Sequence, residues 1–356
     1  MTNVLYVVST PRHLYQAVAL ACNSINPNTY LFVSGLEHGT RLLDACSEKG
    51  VSPFKKVHFL DKSTSNSKSS RQFFKSIQSE IGNFIRQHPI DHVYFGNDFK
   101  PLTQWIMYCA KAERPHCQIT YMDEGIASYF YAFNKSRKIL EWFEGRLKSI
   151  TYGSWYERPK VLGSSRYVNN GLFTFPDQIQ EEYRKLEIGS FPSNYFSHAR
   201  VKNFIGFVVQ DQGLKDKILN IDVLILLPSM NLVDTVYKDI RILRKLLEDF
   251  KKKNLVVGIK YHPKDKDGNA VLDAGNQFTI VPTYLPAEIV FSLINDDAII
   301  IGDVSSALFS AKWLLPKSKI FALIPESSTI TDSRLPLFKN IGVEILRNPQ
   351  TLLSQL

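Results

Sequence analysis

Residues 3–23, with the sequence NVLYVVSTPRHLYQAVALACN, predict a buried strand, a short polar turn and a helix in direct succession. Residues 4–8 form an uninterrupted apolar run, which is typical of a strand covered on both faces of a parallel sheet. Pro11 suits the first turn of a helix, where its missing N–H costs nothing. In residues 14–25 apolar side chains recur every three or four positions. Together these features indicate the beginning of a βαβ unit.

The same alternation continues through the first 125 residues and predicts a parallel sheet flanked by helices. The predicted strands are residues 4–8, 30–33, 56–60, 92–95 and 118–122, and the predicted helices are residues 14–25, 73–87 and 102–112. Residues 132–206 are aromatic, basic and rich in Gly and Pro, without a clear period. We therefore expect the first domain to end at residue 206.

A second alternating series follows, so the chain contains two doubly wound halves. Because 356 residues exceed the usual size of one hydrophobic core, two domains are also the natural expectation from length. The predicted elements are strands 223–227, 255–260, 278–281, 298–302 and 320–324 and helices 232–253, 287–294 and 305–314. This pattern predicts an α/β, GT-B architecture with two Rossmann-like domains facing a central cleft. We expect domains at 1–206 and 207–330, with residues 331–356 packing back toward the first domain.

Composition and charge narrow the class of protein. The 44% hydrophobic and 12% aromatic content is that of an ordered globular protein, and its length suffices for an enzyme-sized fold. Without an apolar run of membrane-spanning length or a signal-like N-terminus, we expect a cytoplasmic protein. A net charge of +9 favours an anionic partner such as a membrane surface, a glycan or a nucleotide sugar. Nucleic acid is disfavoured because no binding motif accompanies the charge, and an ungrouped excess of surface lysines is the alternative.

Ligands of open parallel sheets bind beyond the carboxyl ends of the strands, so residues just after each predicted strand are the first candidates. Asp123, Glu124 and Gly125 follow the fifth strand. Two adjacent carboxylates tend to raise one pKa toward that of a general base. The alternative is a loop carboxylate that caps the next helix.

His262 and the pair Ser305 and Ser306 follow strands of the second half in the same way. Pro263 ends the strand directly after His262, whereas the matching dipeptide at His88 precedes a strand and predicts a structural histidine. The two serines open a helix after a strand, which predicts a phosphate-sized anion site. A plain serine N-cap is the alternative.

In this order, the three motifs resemble those of bacterial sialyltransferases, a group that includes capsular polysialyltransferases and lipooligosaccharide sialyltransferases. That family shares an Asp/Glu-Asp/Glu-Gly motif, a His-Pro motif and a late Ser-Ser motif. Glu288 precedes the serine pair by 17 positions, where related enzymes place a ribose-binding glutamate. The pattern is closest to that of the polysialyltransferases.

The resemblance implies an inverting transferase that moves sialic acid from CMP-sialic acid to a glycan hydroxyl. Glu124, or its neighbour Asp123, would be the general base, and His262 would protonate or hydrogen-bond the departing phosphate. The residues implied to bind the CMP donor are Lys260, Pro263, Glu288, Ser305, Ser306, Thr10 and Gly125. Because the leaving group has one phosphate, we expect no metal and no cofactor. Asp265-Lys266-Asp267 matches a metal-binding D-x-D pattern, but the neighbouring lysines would compete with a cation.

Several functional alternatives stay open at this point. Another GT-B enzyme, such as a CMP-Kdo transferase, a heptosyltransferase-like protein or a sugar-nucleotide epimerase, would share the architecture. A glycan-binding module without catalytic activity is the alternative outside the enzymes.

The acceptor is expected to be a sialylated or galactose-terminated glycan that is lipid-linked at the inner face of the bacterial inner membrane, where anionic lipid would bind the enzyme peripherally. Single addition as in lipooligosaccharide remains an alternative to extension of capsular polysialic acid. The basic residues that favour a polyanionic acceptor are Arg12, Lys138, Arg166, Arg184, Lys185, Arg200 and Lys202.

Overall fold

The computed structural model describes residues 2–25, 28–36, 40–60, 70–130, 147–229, 240–265, 277–324, 333–348 and 351–352. The chain divides into two compact units, Met1–Val208 and Val209–Leu356, and each is built on a parallel sheet. The architecture is the predicted α/β, GT-B arrangement of two Rossmann-like domains.

The described part of the first unit contains a seven-stranded sheet. Its strands are β1 (Asn3–Val8), β2 (Asn28–Val33), β3 (Lys56–Phe59), β4 (His92–Phe95), β5 (Gln118–Met122), β6 (Asn170–Phe173) and β7 (Glu187–Ser190). The order is β3-β2-β1-β4-β5-β6-β7, and every neighbouring pair is parallel. The strand order reverses between β1 and β4, which is where open sheets of this kind bind ligands.

Helices connect these strands. They are α1 (Pro11–Asn23), α2 (Thr40–Ser47), α3 (Ser70–Gln87), α4 (Pro101–Glu113), α5 (Ile126–Tyr129) and α6 (Ala199–Val209), with 3-10 turns at Pro176–Gln178, Glu181–Tyr183 and Ser193–Ser197. Val4, Leu5, Tyr6, Val7 and Val8 of β1 are all buried, because the strand is central in the sheet. This burial explains the continuous apolar run in the sequence.

The second unit repeats the arrangement with a six-stranded sheet among its described residues. The strands are β8 (Val223–Leu226), β9 (Val257–Lys260), β10 (Thr279–Val281), β11 (Ile299–Gly302), β12 (Ile320–Leu323) and β13 (Glu344–Leu346). Their order is β10-β9-β8-β11-β12-β13, again all parallel. The order reverses between β8 and β11, so a second ligand edge is expected there.

Five helices are described in this unit. They are α7 (Gln212–Leu219), α8 (Ile240–Lys252), α9 (Ala287–Phe291), α10 (Ser306–Leu314) and α11 (Leu335–Asn340). On α8, Leu243, Leu246, Leu247 and Phe250 are buried in the core with β8 and β9. Their spacing of three and four positions places them on one helix face, as an amphipathic helix requires. Residues 232–239 of the predicted helix lie outside the described residues.

The sequence prediction missed two strands of the first sheet. Strands β6 and β7 lie in the region where we found no period. They are short and contain Gly171 and Gly189, and glycine weakens the local strand signal while pairing with β5 still orders the edge. In the C-terminal segment, residues 344–346 form β13, which pairs with β12 as the edge strand of the second sheet; packing of residues 331–356 toward the first domain stays a prediction.

Within the described residues, no helix combines the length and the apolar character needed to cross a bilayer.

Candidate active site

The carboxyl ends of β1, β4 and β5 bring polar residues together at the reversal point of the first sheet. Arg12 and His13 follow β1 in the first turn of α1, Asp98 follows β4, and Asp123 and Glu124 follow β5. The predicted acid motif therefore lies at the edge that doubly wound sheets use for ligands.

Asp123 is fully buried, and both of its carboxylate oxygens accept hydrogen bonds. Oδ1 accepts from Arg12 Nη2 at 2.7 Å, and Oδ2 accepts from Thr174 N and Thr174 Oγ1 at 2.7 Å each and from the Tyr129 hydroxyl. Burial alone would raise the pKa of this carboxyl, but Arg12 and the hydrogen-bond donors hold the pKa below its ordinary value. Asp123 is therefore an ionised anchor that joins α1, α5 and the end of β6.

Glu124 has the opposite environment. Its side chain is 21% exposed, and Oε2 has no hydrogen-bond partner among the described residues. The pKa of Glu124 is raised to about 7: burial is the largest cause, the cations Arg12 and Lys100 act against it, and the charge of Asp123 adds to it. A carboxyl group with this pKa gains and loses a proton near neutral pH, which is the property required of a general base.

The pKa of Asp123 is thus lowered and that of Glu124 is raised. The main cause of this difference is not the one that the sequence suggested. We expected repulsion between like charges to raise one pKa. Burial is the larger cause at Glu124, and the charge of Asp123 adds a smaller effect. The hydrogen bonds to Asp123 come from residues that are distant in sequence. The sequence of the two adjacent acids therefore could not indicate which of them is held ionised.

Thr10 and Gly125 shape this edge through their backbone positions. Thr10 is the N-cap of α1, and its hydroxyl accepts a hydrogen bond from His13 N at 3.2 Å. Gly125 has φ +65° and ψ −140° at the start of α5, a backbone conformation that residues with a Cβ atom rarely adopt. Both were predicted to bind the donor, and the structure places them in the first unit beside the acid pair.

His262 lies directly after β9, at the carboxyl edge of the second sheet. Its Nδ1 accepts a hydrogen bond from Lys264 N at 3.2 Å, so the proton of the neutral ring is on Nε2. Burial lowers the pKa of His262, and the nearby Lys264 and Lys260 lower it further against the opposing effect of Asp265 and Asp303. The imidazole is therefore a neutral hydrogen-bond donor at pH 7. Pro263, in the turn beyond it, is exposed.

Ser305 and Ser306 open α10 directly after β11. Ser305 is the N-cap, and its hydroxyl accepts a hydrogen bond from Leu308 N at 3.4 Å, while Ser306 is exposed in the first turn. The N-cap alternative thus describes Ser305, and the hydroxyl of Ser306 adds a second polar group to the same helix N-terminus. Such a terminus presents unpaired N–H groups and attracts anions.

Glu288 and Lys260 lie near one another in the second unit. Glu288 Oε1 accepts a hydrogen bond from the buried Ser310 Oγ at 2.9 Å, which joins α9 to α10. Lys260, the last residue of β9, is 4% exposed, and its Nζ has no hydrogen-bond partner among the described residues. Burial lowers the pKa of Lys260 to about 8, and the charge of Glu288 opposes this shift. A buried ammonium group without a hydrogen bond is costly and favours an anionic or polar ligand.

A profile of the family described as "Alpha-2,8-polysialyltransferase (POLYST)" matches residues 4–323. The chain belongs to the alpha-2,8-polysialyltransferase family. Membership makes the protein a sialyltransferase, and therefore a glycosyltransferase. Among curated proteins, no significantly similar relative is found.

Solved structures share the fold of this polysialyltransferase family member at low sequence identity. The UDP-GlcNAc 2-epimerase from Methanocaldococcus jannaschii has a TM-score of 0.57 at 10% identity, over 99% of this chain and 92% of that chain. The UDP-GlcNAc 2-epimerase from Neisseria meningitidis bound to UDP-GlcNAc has a TM-score of 0.52 at 14% identity, over 99% and 90%. At these identities the likeness concerns the fold alone.

The sequence did not indicate several residues that surround Asp123 and Glu124. Tyr129 and Thr174 complete the hydrogen bonds to Asp123, and the charge of Lys100 lowers the pKa of Glu124. His13 also follows a strand, and this position is the same signal that selected His262. Thr174 lies just after β6, a strand that the sequence did not reveal.

Other predicted groups are less central, or are only partly described. His88 stacks on the Phe84 ring with centroids 4.5 Å apart, which is a packing role. Of the basic residues, Lys138 lies outside the described residues, Arg166 donates to Ser154 O and Lys185 donates to Ser164 O. Their binding to a polyanion stays a prediction. Lys266 and Asp267 of the D-x-D pattern also lie outside the described residues, and the described part of the chain contains no cluster of three metal-ligating side chains.

Proposed function

We propose that the protein is an inverting, metal-independent sialyltransferase that transfers sialic acid from CMP-sialic acid to the terminal hydroxyl of an α-2,8-linked oligosialic acid. Family membership supports the class of reaction. The observation that carries the mechanism is the division of the acid pair, in which Asp123 is fully hydrogen-bonded and Glu124 has a pKa of about 7.

In the proposed reaction Glu124 is the general base. Its carboxylate accepts the proton of the acceptor hydroxyl as that oxygen forms a bond to the anomeric carbon of sialic acid. The bond between this carbon and the phosphate oxygen of CMP breaks, and CMP leaves with the electron pair. The transition state resembles an oxocarbenium ion, as in glycoside hydrolysis. Attack from the face opposite the leaving group converts the β-linked donor to an α-linked product.

The second unit supplies the proposed donor site. The Nε2–H of His262 would donate to the departing phosphate, and Ser306 and the N-terminal amides of α10 would stabilise the same charge. Glu288 would bind the ribose hydroxyls, with Lys260 and Pro263 completing the site. We assign His262 hydrogen bonding rather than proton donation, because burial lowers its pKa and keeps the ring neutral.

The leaving group of the proposed reaction needs little charge neutralisation, which is why we propose no metal requirement. CMP-sialic acid has a single phosphate, so one helix N-terminus, one imidazole and one ammonium group can balance its developing charge. A nucleoside diphosphate would place a larger charge on the same groups.

The charge of +9 supports a polyanionic acceptor, because many weak attractions along a charged chain add up. We propose that this acceptor is lipid-linked capsular polysialic acid. The proposed location is the inner face of the bacterial membrane, where the same charge would attract anionic lipid.

The experiment is a transfer assay with CMP-sialic acid, EDTA and fluorescent acceptors ending in galactose or in a short α-2,8-sialyl chain. The expected result is a ladder of products on the sialylated acceptor. A single addition to galactose would indicate a monosialyltransferase, and activity with CMP-Kdo alone would contradict the donor. Loss of transfer with EDTA, restored by Mg²⁺, would contradict metal independence, and binding of the glycan without turnover would leave only a binding module.

A further inference from the structure

The His13 side chain is a fully buried imidazole in the first turn of α1. Neither ring nitrogen has a hydrogen-bond partner among the described residues. The backbone of Gly96 packs against the ring so closely that a Cβ at position 96 would lie 2.1 Å from His13 Cε1. The ring therefore has little freedom to move, and glycine after β4 is what makes room for it.

The ring faces Glu124, in the acid pair that follows β5. Its Nε2 lies 3.7 Å from Oε2 of Glu124, the oxygen that also has no hydrogen-bond partner among the described residues. The charged groups around His13 are Arg12 on the same helix, Asp123 after β5 and Lys100 before α4. Burial, together with the charges of Arg12 and Lys100, lowers the pKa of His13 to about 3 against the opposing charge of Asp123. The contact is therefore between a carboxyl group and a neutral ring, which is not an ion pair.

A histidine at this position is a poor choice for packing alone. A buried polar group without a hydrogen bond destabilises the folded protein, and an aliphatic side chain would fill a similar volume without that cost. Catalytic hydrogen bonds are often long without substrate and shorten in the reactive complex. A movement of less than 1 Å would bring His13 Nε2 and Glu124 Oε2 within the range of a hydrogen bond.

We propose that His13 is a positioning residue for Glu124. Its neutral imidazole carries the proton on Nε2 and donates it in a hydrogen bond to Oε2, which leaves Oε1 to accept the proton of the acceptor hydroxyl. His13 itself exchanges no proton with the substrate. This role rests on the proposed function of Glu124 as the general base.

The hydrogen bond has a measurable consequence for Glu124. A donor to the ionised carboxylate favours the charged form, so its removal raises the pKa of Glu124. A shift of about one pH unit is of the order expected for a hydrogen bond to a charged group. The acidic limb of kcat/KM should then move to higher pH by the same amount.

Three variants separate this role from packing. His13→Leu removes the donor, His13→Gln keeps an N–H donor near the position of Nε2, and Gly96→Ala displaces the unchanged ring through the added Cβ. We expect kcat/KM of His13→Leu and Gly96→Ala to fall about eightfold at pH 6.5 and by less than about twofold at pH 9. His13→Gln should restore the acidic limb. An equal loss at both pH values would contradict the proposal and indicate packing alone.

Two NMR measurements do not depend on turnover. In the wild-type protein, the ¹⁵N shifts of His13 should show a neutral Nε2–H tautomer between pH 6 and 9. An Nδ1–H tautomer or a protonated ring would contradict the proposal even if no variant folds. The ¹³C carboxyl titration of Glu124, assigned with Glu124→Gln, should shift upward in His13→Leu. If the NMR results are as expected but the wild-type protein transfers no sialic acid, the proposed function fails and the hydrogen bond between His13 and Glu124 stands.

Discussion

Replacing Glu124 with Gln should remove activity and stabilise the fold, a combination that distinguishes a catalytic acid from a structural one. The folded-state pKa of Glu124 is about 7, against an ordinary value of 4.5. Because this pKa is raised, the contribution of Glu124 to stability is fully present below pH 4.5 and is lost as the pH rises through 7. The full shift corresponds to about 3 kcal/mol, and the 21% exposure of the side chain reduces it to about 1–3 kcal/mol. The neutral amide should avoid this loss at pH 8.5.

Asp123→Asn is the opposing perturbation. It removes the negative charge beside the buried Arg12 guanidinium and mispairs the donors from Thr174. We expect the free energy of unfolding to fall by about 3–5 kcal/mol, since an uncompensated buried charge remains. Here stability and activity should be lost together.

Urea unfolding and initial rates of sialyl transfer, both measured at pH 8.5, test the two variants Glu124→Gln and Asp123→Asn. Glu124→Gln should retain or raise the unfolding midpoint while kcat falls by about 10²–10⁴. The exposed Glu113→Gln is a matched control that should change neither quantity. The reasoning is refuted if Glu124→Gln is less stable than the wild type or transfers sialic acid at its rate, or if Asp123→Asn unfolds at the wild-type midpoint.

Three further predictions concern Asp98, His262 and Lys260. Asp98→Ala leaves the buried N–H groups of Gly163 and Ser165 without their acceptor, so urea unfolding should show a loss of about 3 kcal/mol. The pKa of Asp98 is raised to about 6, so the contribution of its titration to stability should be lost as the pH rises through 6 in the wild type and be absent in the variant. His262→Ala should lower kcat by about 10²-fold while His262→Gln, which keeps a side-chain N–H, retains part of the rate; equal rates for both variants would contradict a hydrogen-bonding role. Lys260→Met should weaken CMP binding about tenfold by calorimetry and raise stability at pH 7, because the pKa of Lys260 is lowered to about 8 and its ammonium form disfavours the fold; unchanged CMP affinity would remove Lys260 from the donor site.

The sequence predicts most of the sheet framework because the central strands are buried on both faces. The apolar runs at β1, β5 and β8 and the periodic helices between strands identify both doubly wound halves. Strands β6, β7 and β13 were missed. Gly171 interrupts β6 and Gly189 interrupts β7, which weakens the local strand signal, and β13 is an edge strand that pairs with β12 alone.

The candidate site was predictable in position and not in chemistry. Asp123, Glu124 and His262 follow predicted strands, so topology places them at ligand edges. The contrast between the two acids depends on Arg12, Thr174 and the burial of Glu124, and none of these is local to the motif. His13 became significant only when the structure placed its ring against Gly96 and beside Glu124.

The pH dependence of kcat/KM for sialyl transfer tests most directly whether Glu124 is the general base. With a pKa of about 7, its ionised fraction is about 0.9 at pH 8 and about 0.1 at pH 6. The rate constant of the wild-type enzyme should therefore fall about tenfold between these pH values, with an acidic limb centred near 7. A rate that stays constant down to pH 6 would contradict the assignment.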